Sequence, residues 1–338
     1  MKKNTFNPTK KVLIIAEAGN NHEGSFNVAK KLVIKAAKAG VDAIKFQTFK
    51  TENFINKENI QRYNKLKKFE LSKKNFIELK KLANKNNLLF ISTPFDLTSA
   101  KFLSKNSDII KIASSDNNFY YLIKEVLKSN KKIIISTGLA DEKQIKKTVR
   151  YIIKTIGFQN FKKRISLLHC VTSYPVSYEN ANLNSITYLK NEYKCTIGYS
   201  DHTIGPEASL AAVSLGAKII EKHFTLSKTF SDFRDHALSA DQKELSYIVN
   251  GIRKIEKMLG NINKKIQYKE RQNSVIRRSI FAKIDLRKNS KITIDKLNFL
   301  RSDSFNSFLD VEAILGKLSK RDIKKNSKIK LKDIKKRF

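Results

Sequence analysis

Eight times between residues 12 and 260 a short apolar run gives way to an amphipathic stretch, and few architectures accept that rhythm. The first run is Val12-Leu13-Ile14-Ile15-Ala16. A helix is predicted from about Ser25, with Val28, Ala29, Leu32, Val33, Ala36 and Ala37 at helical spacing and Gly40 as its stop. The second strand is read at 42–49, followed by a helix with Ser72 as N-cap and Phe76, Leu79 and Leu82 on its apolar face. Further strands are read at 88–93, 109–113, 132–136, 165–170, 195–199 and 218–224, and the last helix at 240–259. Continuous apolar strands alternating with helices require a parallel sheet covered on both faces. Eight such units in about 250 residues is the number a (β/α)8 barrel needs, with a doubly wound open sheet as the alternative.

The pattern ends at Gly260, so residues 1–260 are assigned to the barrel. Residues 261–275 are polar and charged and read as a linker. Residues 276–338 carry short β-like runs (279–284, 291–294, 328–331) without the strand–helix rhythm, a small β-rich module. The formal charge of +37, from 68 Lys and Arg against 31 Asp and Glu, invites a nucleic-acid partner. The basic residues run from Lys2 to Lys336 without clustering, and no nucleic-acid module is recognisable. The charge is better used to draw in a small anion, and no nucleic-acid partner is expected. Cys170 and Cys195 have no metal-ligand spacing and no disulfide is expected. No run reaches the ~18 apolar residues of a membrane span, so a cytoplasmic protein without a membrane partner is expected.

In a barrel of this kind chemistry sits at the C-terminal ends of the strands. Here those ends are polar: Glu17, Asn20, Asn21 and His22; Lys45 and Gln47; Ser92 and Thr93; Lys111, Ser114, Ser115 and Asp116; Ser136 and Thr137; His169; Asp201 and His202; Glu221 and His223. Lys45 with Gln47, and Glu221 with His223, are two residues apart and share a strand face. A lysine in a barrel mouth is a Schiff-base nucleophile or a cation for an anionic substrate. The hydroxyls of Thr93, Ser114 and Ser136 favour the second, since hydroxyls with ammonium groups suit phosphate and carboxylate. His202 and His223 end neighbouring strands, where two imidazoles either ligate a divalent metal or are structural. The polar segment 229–239, with Asp235 and His236, reads as a loop that holds substrate or merely lies on the surface.

With these residues in hand, the sequence resembles the sialic acid synthase family, which includes N-acetylneuraminate, legionaminate and pseudaminate synthases. The matching stretches are IIAEAGNNHEGS (14–25), DAIKFQTF (42–49), ISTPFD (91–96), KIASSD (111–116), ISTGL (135–139), LLHCVTSYP (167–175), IGYSDHT (197–203) and IIEKHFT (219–225). IDKLNFLR (294–301) and LGKLSKRDIKKNSKI (315–329) resemble the family's antifreeze-like SAF domain.

The resemblance implies a transferase that condenses phosphoenolpyruvate with an N-acylated amino-sugar aldehyde, giving a nonulosonic acid and phosphate for surface-glycan biosynthesis. It implies Mn2+ or Mg2+ on His202 and His223, and Glu17, Glu221 and Lys111 as catalytic groups. Phosphoenolpyruvate would take Lys45, Lys111, Thr93, Ser114 and Ser136; the sugar would take Gln47, Asp116, Tyr174 and Asp235. Arg301, lent by the SAF domain of the second subunit of a homodimer, would reach the N-acyl group. The chain departs from the family at Ser115-Asp116, where Gly-Glu is common, at Thr172, where Asn is common, and at Ser302-Asp303 after Arg301. The loop after the eighth strand also differs, at 232–236. These changes bear on the sugar pocket more than on the phosphate or metal site. The rival readings are a Schiff-base pyruvate lyase on the same barrel, through Lys45 or Lys111, and a non-catalytic polyanion binder.

Overall fold

A computed structural model of the chain describes residues 6–8, 11–272, 277–301 and 310–335. It divides into two compact units, Met1–Gly260 and Asn261–Phe338. In the first, eight parallel strands close into a barrel in sequence order. They are β1 Leu13–Gly19, β2 Ala43–Thr48, β3 Leu89–Pro94, β4 Ile109–Ile112, β5 Lys132–Ser136, β6 Ile165–Cys170, β7 Thr196–Asp201 and β8 Ile219–His223. The ring closes where β1 pairs with β8, Ile15 opposite Glu221 and Glu17 opposite His223. The open-sheet alternative is thereby excluded.

Between the strands lie α1 Phe26–Ala39, α2 Ile60–Phe69, α3 Lys73–Lys85, α4 Leu97–Asn106, α5 Tyr120–Leu127 and α6 Glu142–Ile156. They continue with α7 Phe158–Arg164, α8 Asn184–Glu192, α9 Glu207–Ser214, α10 Arg234–Leu238 and α11 Gln242–Leu259. Helix boundaries follow local chemistry. The Ser25 hydroxyl accepts from Val28 N–H at the start of α1, and Gly40 ends it at φ +85, a conformation open to glycine. Ser72 with Asn75, and Asp241 with Glu244, form reciprocal capping boxes on α3 and α11. None of the described helices is long and apolar enough to cross a membrane.

Each strand splits its residues by parity. Ile14, Ala16, Ile44, Phe46, Phe90, Ile110, Ile112, Ile133, Ile135, Leu167, Ile197, Tyr199 and Ile220 pack outward with the apolar faces of the helices. Leu13, Ile15, Ala43, Leu89, Ile91, Ile109, Ile134, Leu168 and Ile219 form a separate inner cluster, with Phe6 packed against it. One glycine is demanded by this closure: a Cβ on Gly198 of β7 would lie 2.4 Å from the Ile219 carbonyl oxygen of β8.

The second unit departs from the sequence reading in two respects. The segment read as a linker contains a helix, α12 Tyr268–Gln272. The runs at 291–294 and 328–331 form only isolated bridges, Lys291 to Leu318 and Lys328 to Phe281, each leading into a 3-10 turn. The antiparallel pair is β9 Arg278–Ala282 with β10 Leu297–Arg301. Ile280, Ala282, Leu286, Ile292, Leu297, Ile314, Ile323, Ile329 and Ile334 make a core of its own, so this unit is held by side chains scattered along short turns. Ser302 and Asp303 lie outside the described residues.

Candidate active site

The inward parity continues beyond the apolar layer and becomes polar: Glu17, Lys45, Gln47, Thr93, Lys111, Ser136, Ser200, Glu221 and His223 all line one cavity of about 370 Å³ at the C-terminal ends of the strands. Ser114, Tyr174, His202 and Asp235 line it from the segments that follow β4, β6, β7 and β8, Asp235 from α10.

The outward parity explains why the other polar strand ends do not join them. Ser92 hydrogen-bonds Thr48 at 2.7 Å. The Thr137 hydroxyl donates to the Leu168 carbonyl, and His169 bonds the Ala181 carbonyl at 2.8 Å. Asp201 takes Lys222 at 2.9 Å. These groups, with Asn21 and His22, hold strands and loops together. Asp116, expected at the sugar, is not among the residues that line this cavity. It sits in the 3-10 turn Ser114–Asp116, which advances about 120° per residue, so Ser114 and Ser115 line the cavity and Asp116 does not. Burial pushes its carboxyl up to about 6. Arg301 is an exposed residue of β10, in the other unit.

At the deep end two lysines and two glutamates share one charge network. Lys45 Nζ lies 2.9 Å from Glu17 Oε2 and 3.6 Å from Glu221 Oε1. Lys111 Nζ lies 3.2 Å from that same Glu221 oxygen, to which the Ser200 hydroxyl donates at 3.0 Å. Lys45 also donates to Thr93 at 3.3 Å. Asn20 donates to Gln47 at 2.8 Å, and Gln47 to Glu17 at 3.3 Å.

Burial opposes ionisation of Glu221, but the two ammonium groups outweigh it and hold the carboxyl down at about 2. Burial wins at Glu17, whose carboxyl is raised despite Lys45. Burial also lowers Lys111, whereas Glu17 and Glu221 overcome it at Lys45 and raise that lysine. One carboxylate is therefore fixed as an anion and the other takes a proton more readily, a division of labour suited to acid–base chemistry.

His202 and His223 stand with ring centroids 5.3 Å apart. His202 Nδ1 donates to the Val171 carbonyl at 2.8 Å, which leaves the Nε2 lone pair available. His223 Nδ1 is buried with no hydrogen-bond partner among the described residues. Two oriented imidazoles with spare lone pairs fit a divalent ion. Among the described residues no group of three or more His, Cys, Asp or Glu is arranged to hold one. The Tyr174 ring lies tilted against His202 with centroids 4.2 Å apart, and Arg234 lies 4.7 Å over Tyr174.

Several lining residues escaped the sequence reading. Cys170 faces inward, 3.9 Å from His202 Nδ1, and both cysteines are free. Ser200 lies on the inward parity of β7, which strand alternation would have found. Helix α2 lines the cavity with Arg62, Lys65, Leu66 and Phe69, and the segment after β8, read as a loop, contains α10.

Comparison with known proteins adds names to this geometry. Residues 32–264 match the NeuB family model and residues 277–335 the SAF domain model. An N,N'-diacetyllegionaminic acid synthase from Campylobacter jejuni is 40% identical, over 95% of this chain and 99% of that protein. The mouse N-acetylneuraminate-9-phosphate synthase is 32% identical, over 84% of this chain and 81% of its own length. The crystal structure of N-acetylneuraminic acid (sialic acid) synthetase from Leptospira borgpetersenii, in complex with citrate, superposes with a TM-score of 0.73 at 39% identity, covering 78% of this chain and 90% of that one.

Proposed function

This chain belongs to the NeuB family, and from that premise we propose that it condenses phosphoenolpyruvate with the open-chain aldehyde of an N-acylated amino sugar. It is an enzyme of the N-acetylneuraminate synthase kind. The observation that carries the substrate reading is the deep end of the cavity, where Lys45 and Lys111 stand among the hydroxyls of Thr93, Ser114 and Ser136. Two cations with hydroxyl donors match the carboxylate and phosphate of an enol phosphate, and the burial that makes them costly when empty strengthens them once an anion is seated.

In the proposed reaction the enol C3 forms a bond to the aldehyde carbon while the aldehyde oxygen takes a proton. Water adds at C2, and phosphate leaves with its bridging oxygen. Glu17, whose carboxyl burial shifts upward, is the candidate for proton transfer. Glu221 keeps Lys111 and Lys45 aimed into the cavity. Gln47, Tyr174 and Asp235 are candidates for sugar contacts. Mn2+ or Mg2+ held by His202 and His223 would supply Lewis-acid polarisation of a carbonyl oxygen. Arg301 is the candidate for the N-acyl group, contributed across a homodimer. Replacing it with Ala then raises the sugar KM about tenfold, the scale of one charge-assisted hydrogen bond, and an unchanged KM removes that role.

The test is phosphate release and product mass for the purified protein with phosphoenolpyruvate and a panel of amino-sugar aldoses, with and without added metal. Phosphate and a nine-carbon acid together support the reading. A lysine trapped by borohydride with pyruvate, without phosphate release, replaces it with the Schiff-base lyase.

A further inference from the structure

In the turn after β1, Glu23 adopts φ +46, a left-handed conformation that a non-glycine residue enters at a cost. Its carboxylate spans to the segment after β8. Glu23 Oε1 lies 2.9 Å from His236 Nε2 and accepts the Ser231 hydroxyl. The other His236 nitrogen is 2.6 Å from Thr225 Oγ1, and the ring is 1% exposed. Asn21, from the same turn, donates to Ser239 at 3.1 Å, and the Ser239 hydroxyl in turn donates to the Asp235 carbonyl. The segment is therefore held at Ser231, His236 and Ser239. Between the first two of these anchors lie Phe233, Arg234 and Asp235, its three cavity-lining residues.

We propose that Glu23 is a positioning residue: through His236 and Ser231 it fixes Phe233, Arg234 and Asp235 at the acceptor side of the cavity. A carboxylate bound to two donors on one segment restrains it as no single contact could, and a short segment without such a tie samples many conformations. The assignment of that side to the acceptor rests on the function proposed above; the tie itself does not.

Two measurements on the full chain separate the two. Amide exchange across 229–239 accelerates about tenfold or more in Glu23→Ala and returns most of the way in Glu23→Gln, which keeps the accepting oxygen. With the active aldose, Glu23→Ala raises the acceptor KM about tenfold, while the phosphoenolpyruvate KM and kcat stay within about threefold, and Glu23→Gln recovers most of the loss. Unchanged exchange overturns the tie. Accelerated exchange with both KM values rising alike, or with no rescue by Gln, overturns the positioning role and leaves a structural one. If the unmodified protein turns over no aldose, the functional reading fails, and the exchange data still decide whether Glu23 holds the segment.

Discussion

Two buried clusters, each pairing lysine with carboxylate, lie on the two faces of β8, and they are finished differently. On the outward face, Lys222 gives its donors to Asp201 at 2.9 Å and to the carbonyls of Thr203 at 2.6 Å and Gly205 at 3.0 Å. Asp201 in turn accepts from Thr203 N–H, the Thr203 hydroxyl and Ser209. Every donor of that ammonium has a protein acceptor. On the inward face, Lys111, Lys45 and Ser200 crowd one oxygen of Glu221, while its Oε2, the Ser136 hydroxyl and His223 Nδ1 have no hydrogen-bond partner among the described residues. Burying polar groups unpaired costs stability, so a cluster left short of partners signals groups kept for a ligand. The finished pair is architecture; the unfinished one is a site.

The largest test of this contrast is Lys111→Met. Loss of one cation from the unfinished cluster lowers kcat/KM by about 10³-fold or more, roughly 4 kcal/mol of transition-state stabilisation, with little change in the urea midpoint. A variant within tenfold of the parent breaks the reading. Asp201→Asn does the reverse. It leaves Lys222 buried beside a neutral amide and costs about 3–5 kcal/mol in urea unfolding; a cost below about 1 kcal/mol shows that the outward pair is not structural.

His22 is the exception that sharpens the rule, since its Nε2 is unpartnered although it faces away from the cavity. Burial lowers its pKa from 6.5 to about 4. The folded state therefore resists its protonation: stability from this residue is complete above about pH 6.5 and is lost as pH falls toward 4, up to roughly 3 kcal/mol. Urea titrations of His22→Gln then show a shallower decline over that window, and an unchanged slope refutes the account. The smallest effect belongs to Asp116, raised by burial from 3.8 to about 6. The folded state takes its proton first, so stability falls as pH rises through that interval. Asp116→Asn therefore gains on the order of 1 kcal/mol at pH 7.5, discounted for partial exposure, and nothing at pH 4. An equal gain at both pH values shows that ionisation is not the cause.

The barrel was legible because its strands are dense in Ile and Leu and its helices carry regular apolar faces with recognisable caps such as Ser25 and Ser72. The cavity was legible as a set of polar strand ends, but which ends converge depends on parity. Leu168 inward implies Cys170 inward, and Gly198 implies Ser200. Extending that alternation would have removed Ser92, His169 and Asp201 and added Cys170 and Ser200. Helix α2 was not legible, since Ile60–Phe69 is mostly polar and Lys-rich and Phe69 is its one buried residue. Its place is set by tertiary contact. Gly24, at φ +83, lies so close to it that a Cβ there would stand 2.0 Å from the Lys68 carbonyl oxygen. Asp116 was assigned by resemblance rather than by alternation, and it sits in the 3-10 turn that follows β4, off the cavity lining.

The inner apolar cluster, with Phe6 packed against it, plugs the barrel behind Lys45 and Lys111. Traffic is then confined to one door. The molecule that needs the two deep lysines must go in first, and anything bound nearer the rim, beside Tyr174 and Arg234, shuts it in. On the function proposed above, the plug would impose an order of entry, with the enol phosphate leading and the sugar following.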